Sequence, residues 1–123
     1  MLENQITNQQ KFFEQFSTQT HKLELSNKLF DYWLKEQREK ILEITSKHGA
    51  CNVRVFGSVA RKEADENSDL DLLVDLGENL GAWFPIGLIN ELENFLGVKV
   101  DIVTINGLKE RIREKVLREA IPL

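Results

Sequence analysis

The chain has 123 residues, a formal net charge of −4, an ordinary 41% of hydrophobic residues and one cysteine. That length supports one small domain, and the acidic balance argues against a broad nucleic-acid-binding surface. With no apolar run of membrane-spanning length, no apolar signal segment at the start, and a lone Cys51 that cannot form an internal disulfide, a cytoplasmic protein is expected.

Residues 1–22 are rich in Gln, Asn and Thr, with Phe12, Phe13 and Phe16 as the main apolar interruptions. They read as an extension that either packs on the domain or anchors on a partner. Residues 1–35 are therefore set apart as a polar, helical N-terminal extension, and 36–123 as the domain. Leu29 to His48 is helical in pattern, through Leu29, Phe30, Trp33, Leu34, Ile41, Leu42 and Ile44. Gln37 interrupts the stripe, so one kinked helix or two are expected. Lys47-His48-Gly49 is a helix stop, with cations against the dipole and glycine at the exit. That makes His48 a cap-side residue rather than a ligand, and His21 belongs to the extension. Cys51, next to the following strand, is expected in or near the core.

Val53–Phe56 predicts a short strand. Gly57 permits a tight turn and a close approach of a ligand to the backbone. Ser58 can cap a short helix through Val59-Ala60-Arg61-Lys62-Glu63. Free N–H groups and a hydroxyl at a helix start suit an anion, phosphate above all, and Arg61 can add charge. Alone, Gly-Ser is an ordinary strand-to-helix turn, and it gains meaning only beside the acidic segment downstream.

That segment is Asp69-Leu70-Asp71-Leu72-Leu73-Val74. Leu70, Leu72 and Val74 alternate with Asp69, Asp71 and Leu73, and period two predicts a strand. Both carboxylates then share one face, with Cα atoms roughly 6.5–7 Å apart. Aspartate is a poor strand residue, and no Lys or Arg lies between Ser68 and Leu80 to relieve the pair. A hard divalent cation would relieve it, and Mg²⁺ suits one or two carboxylates plus substrate phosphates. An isolated Asp-x-Asp is more often a charged edge strand. The upstream Gly-Ser changes that balance, since this spacing should arise by chance in on the order of one in a thousand chains of this length.

Gly77–Gly81 reads as a loop, and Pro85 can open a helix at its first turn. Phe84, Leu88, Leu92 and Phe95 form a stripe that should pack on the sheet, with Ile89 and Leu96 beside it. Trp83, just before it, fits a core or rim position better than a base-stacking one. Val98–Val103 reads as another strand, with Asp101 on the face opposite Val98, Val100 and Ile102. If it lies beside the first, Asp101 joins Asp69 and Asp71, and three carboxylates on adjacent strands suit a two-metal site. Asp101 would then accept the nucleophile's proton. Asn106-Gly107 marks a turn. Leu108 to Ala120 is the last helix, with Ile112, Val116 and Leu117 as its buried side. Its alternating charges read as a solvated face; contact with triphosphate or an acidic partner is the alternative.

Gly57-Ser58, a spacer, Asp69-x-Asp71 and a third Asp at 101 resemble the signature of the DNA polymerase β-type nucleotidyltransferase superfamily. From about Arg38 to Leu123, including the ending Arg113-Glu114-Lys115-Val116-Leu117-Arg118-Glu119-Ala120-Ile121-Pro122-Leu123, the chain is most similar to the minimal nucleotidyltransferases, the MNT group. The resemblance implies an α+β fold, a small mixed sheet flanked by helices. It implies ATP as substrate, two Mg²⁺ ions, and transfer of a nucleotidyl group to an acceptor with release of pyrophosphate. By match, Gly57 and Ser58 would hold phosphates, and Asp69, Asp71 and Asp101 would be catalytic and hold the metal. MNT proteins commonly pair with a HEPN-domain ribonuclease toxin as its antitoxin, and are similar to enzymes that place AMP on a tyrosine of the toxin.

The expectation is therefore an AMP-transferring antitoxin with such a partner, and no direct role in binding nucleic acid or membrane. The acidic charge and small size argue against a polymerase or a tRNA-processing enzyme. The alternatives are an antitoxin that neutralises by complex formation alone, and a small-molecule nucleotidyltransferase of the aminoglycoside-modifying kind. The latter normally carries a second, helical domain for which this chain has no room. One departure is Lys62, where the family often has glycine.

Overall fold

The computed structural model of the protein describes residues 30–65 and 67–123. The readings of Phe12, Phe13, Phe16, His21 and Leu29 fall outside the described residues. Residues 30–36 are helical, and Phe30, Trp33 and Leu34 are buried in the main core. Gln37 stands as a turn between them and α1, Arg38–Lys47, so the interrupted stripe resolves into two helical stretches. His48 caps α1, and Lys47 and His48 both meet Glu91.

After α1 come β1 (Ala50–Phe56), α2 (Gly57–Ala60), β2 (Leu70–Leu76), α3 (Ile86–Leu96), β3 (Val100–Val103), α4 (Glu110–Glu119) and β4 (Ile121–Pro122). The four strands form one mixed sheet in the order β3-β2-β1-β4. β1 runs antiparallel to β2 and to β4, while β2 and β3 run parallel. The parallel pair needs a crossover, and α3 supplies it. The fold is thus the expected mixed sheet with helices on its faces.

Alternation in the strands decides which face meets which layer. Leu70, Leu72, Val74, Val100 and Ile102 enter the larger core with Ile41, Ile44, Leu88, Leu92 and Leu96 from α1 and α3. Of the stripe predicted for α3, Leu88 and Leu92 are buried, together with Leu96 from beside it, while Phe84 and Phe95 are only partly buried. The opposite face carries Asp71, Leu73 and Asp75 of β2 and Asp101 of β3. Only Leu73 there is fully buried, in a small cluster with Leu108 and Val116. α4 was expected to bury Ile112, Val116 and Leu117; Val116 is buried, but Ile112 and Leu117 remain 40% and 42% exposed. The layer α4 covers is too narrow for a three-residue stripe, because half of that sheet face is acidic.

Two other local expectations are corrected. Cys51 is exposed. The register between β1 and β2 shifts between Cys51 and Arg54, and Asn52 has a φ of +49°. This bulge leaves Cys51 and Asn52 both exposed between the buried Ala50 and Val53. Of the core or rim position expected for Trp83, the core is excluded: it is 77% exposed, in the 77–85 connection that leads into α3.

Candidate active site

β1 ends at Phe56, and the chain turns into α2 at Gly57, whose φ is +74°. That is the left-handed region where only glycine is free of strain. A Cβ at Gly57 would lie 2.1 Å from Oδ2 of Asp71. The turn therefore presses its backbone against the acidic strand, so the close approach that the glycine permits is made here by the protein's own Asp71 side chain. Ser58 departs from expectation: α2 begins at Gly57 with Phe56 before it, and no side chain caps it. Ser58 is instead the second residue of the helix and partly exposed, and its hydroxyl is not spent on a cap. The helix is also shorter than Val59–Glu63, ending at Ala60. Lys62 follows with a φ of +62°, which explains why glycine is common there in the family it resembles. Lysine costs about 1–2 kcal/mol in that conformation, and its surface ion pair with Asp31 at 3.1 Å offsets only part of it.

Asp71 lies opposite Phe56 on one side and Asp101 on the other. Parallel neighbours about 4.8 Å apart put both carboxylates on the same face of the sheet. Asp69 is exposed and sits one residue ahead of β2, after a turn in which Asp65 accepts from the Asn67 N–H and Asp65 N–H donates to Ser68 Oγ. Asp71 and Asp101 are thus paired on one face, Asp71 lies against the Gly57 turn, and Asp69 is near enough for its charge to reach Asp71.

Their electrostatics are unrelieved. The Asp71 carboxyl is pushed up to about 6, first by burial, then by Asp101 and Asp69; Arg61 acts in the opposite sense and Glu119 adds to the rise. Asp75, further along the same strand, makes the contrast. It is held by Arg54 Nη2 at 2.6 Å and Asn52 Nδ2 at 2.9 Å. One acid of β2 is neutralised within the protein, while the carboxyl of the other stays raised.

This donor set fits a hard divalent cation. Among the described residues no three His, Cys, Asp or Glu side chains form a ready-made metal cage. Mg²⁺ does not need one, because it takes one or two carboxylates and completes its shell with phosphate and water.

Arg61 reaches the turn, but it is held by two carboxylates. Its Nη1 donates to both oxygens of Glu119, at 3.1 and 3.3 Å, and its Nε to Glu63 at 3.1 Å. These partners hold the guanidinium more firmly protonated than usual, Glu63 foremost. Glu119 also accepts the Gly57 N–H at 2.7 Å. Glu119 reads in sequence as one charge of a solvated helix face. Only the pairing of β4 with β1 brings it here.

A family model described as a nucleotidyltransferase domain matches residues 34–123. A candidate protein adenylyltransferase of Methanocaldococcus jannaschii is 39% identical over 88 residues, which span 72% of this chain and 95% of that protein. Protein adenylyltransferase MntA of Thermococcus cleftensis is 41% identical over 91 residues, 70% of this chain and 92% of its own length. Among solved structures, a candidate minimal nucleotidyltransferase superposes with a TM-score of 0.67 at 54% identity, covering 75% of this chain and 94% of that one. A toxin–antitoxin complex with AMP-PNP shares the fold at 21% identity, with a TM-score of 0.59 over 68% of this chain and 69% of that one.

Proposed function

We propose, from the premise that this chain belongs to the nucleotidyltransferase domain family, that it transfers AMP from ATP to a tyrosine hydroxyl of a partner ribonuclease toxin of the HEPN class and so acts as its antitoxin. The observation that carries the chemistry is the register of β2 and β3, which pairs Asp71 with Asp101 beside the Gly57 turn. The acceptor and partner are supported by protein adenylyltransferase relatives and by the resemblance to MNT antitoxins.

Asp69, Asp71 and Asp101 would hold Mg²⁺, which supplies neutralisation of the triphosphate charge and a lower cost of ionising the acceptor hydroxyl. Gly57 N–H, the Ser58 hydroxyl and Arg61 hold the phosphate oxygens. Asp101, the exposed member of the pair, takes the proton of the attacking hydroxyl. The hydroxyl oxygen bonds to the α-phosphorus as the bond to the β-phosphate oxygen breaks, and pyrophosphate leaves with that electron pair. Most of the rate comes from positioning and charge stabilisation.

The test is incubation with α-labelled ATP, Mg²⁺ and the protein that co-purifies with the chain from its host. Label is expected on a tyrosine of the partner, found by mass spectrometry. An Asp69→Asn/Asp71→Asn double variant that still transfers label defeats the assignment. A double variant that transfers nothing yet still neutralises the partner would establish neutralisation by complex formation instead.

A further inference from the structure

The antiparallel register of β1 and β4 sets Pro122 opposite Arg54 and Ile121 opposite Val55. Carried two residues further, the same register places Glu119 opposite Gly57. There the Glu119 carboxylate accepts the Gly57 N–H at 2.7 Å and the Arg61 guanidinium at 3.1 and 3.3 Å. A carboxylate and a phosphate make the same demand on these donors: negative oxygens that only accept. Little else in this position favours an anion. Glu119 is the last residue of α4, where the helix dipole is negative. Asp71 is close enough to feel its charge, and the side chain is only 16% exposed. The contact with Gly57 and Arg61 is what offsets those costs.

We propose that Glu119 sets the nucleotide affinity of the site: its carboxylate fills the phosphate cradle of Gly57 and Arg61 in the nucleotide-free protein and gives it up when a triphosphate binds. This rests on the nucleotide-transfer reading above. Binding is then an exchange of anions, in which the N–H and the guanidinium pass from carboxylate to phosphate oxygen. Apparent affinity is lowered by the fraction of molecules in which the cradle is filled. In return, the turn and Arg61 stay ordered without ligand.

The test is calorimetric titration of the full chain, with Mg²⁺ and a non-hydrolysable ATP analogue, comparing wild type with Glu119→Gln, Glu119→Ala and Glu63→Gln. Melting curves by circular dichroism confirm folding. Both Glu119 variants are expected to bind about three- to tenfold more tightly, and Glu63→Gln to change by less than about twofold, since Glu63 meets Arg61 but not Gly57. Unchanged or weaker binding by a folded Glu119 variant overturns the inference. So does an equal gain in Glu63→Gln, which would mean a general effect of charge. In the wild type, the Gly57 amide resonance should shift on saturation, and a resonance that does not move overturns the exchange without any substitution. If the wild type binds no nucleotide analogue, inorganic tripolyphosphate replaces it. Tighter binding by Glu119→Gln then sustains the exchange while the nucleotide reading fails, and equal binding overturns the exchange.

Discussion

Asp71 and Gly57 are where charge and backbone geometry meet most tightly. The Asp71 carboxyl lies at about 6 in the fold against an ordinary 3.8, raised by burial first. A raised carboxyl favours the protonated fold. Its stabilising effect is complete below about pH 3.8 and is lost as pH rises through about 6, so at neutral pH the metal-free fold carries an ionised group it disfavours. Two units correspond to roughly 3 kcal/mol; for a half-buried group, solvent screening reduces this to about 1–2 kcal/mol. Asp71→Asn is expected to raise the unfolding free energy by that amount in urea at pH 7.5 without divalent cation. The gain should vanish by about pH 4, and AMP transfer should be abolished. A variant less stable than wild type at pH 7.5 would show that Asp71 is compensated within the protein. Gly57→Ala should fail on both counts. It places a side chain at a φ of +74° and a carbon 2.1 Å from Asp71 Oδ2, costing about 1–3 kcal/mol. It also displaces the carboxylate, and transfer should fall at least tenfold, by about 1.4 kcal/mol or more in barrier. Stability within about 0.5 kcal/mol of wild type would contradict this geometry.

At this scale the acids and the glycine were legible because each announces a local conflict, a carboxylate in a strand or a residue free to turn. Ser58, Cys51 and Trp83 were not. Their environments depend on a missing cap, a bulge at Asn52 and an exposed connection, none of which has a periodic signal. Glu119 was hidden for another reason. Its contact with Gly57 spans 62 residues and depends on β4, a strand of two residues that includes a proline, too short to show alternation.

The helices α3 and α4 carry the same kind of pattern and different weight. α3 buries Leu88, Leu92 and Leu96 completely against the sheet, whereas α4 buries Val116 alone among its residues. Helical period placed both elements correctly. It could not say how much apolar sheet each would find, because that depends on which face the strand acids occupy. Leu92→Ala should therefore cost about 2–5 kcal/mol. Ile112→Ala, at a site 40% exposed, should cost less than about 1 kcal/mol. Urea unfolding of the two variants measures the difference. Near-equal losses would mean that α4 is packed as the sequence pattern alone suggests, and that the acidic face is narrower than described.

Across the whole molecule, a chain of net charge −4 has to bind a triphosphate of the same sign. The acidic residues and the turn proposed to hold phosphate adjoin, since the Gly57 backbone touches the Asp71 side chain. A cation at the acids is therefore within reach of an anion at the turn, and each should favour the other. In thermal melts at fixed protein concentration, Mg²⁺ alone should raise Tm slightly, ATP alone hardly at all, and the two together by more than the sum. Saturation at about 100 times Kd would add about 2.7 kcal/mol, several degrees for a domain of this size. Asp71→Asn should remove the excess while keeping any small effect of salt. Shifts that merely add, with no excess to lose, would mean that the two halves of the site bind independently, and that the closeness of Gly57 to Asp71 serves packing rather than the joint capture of metal and nucleotide.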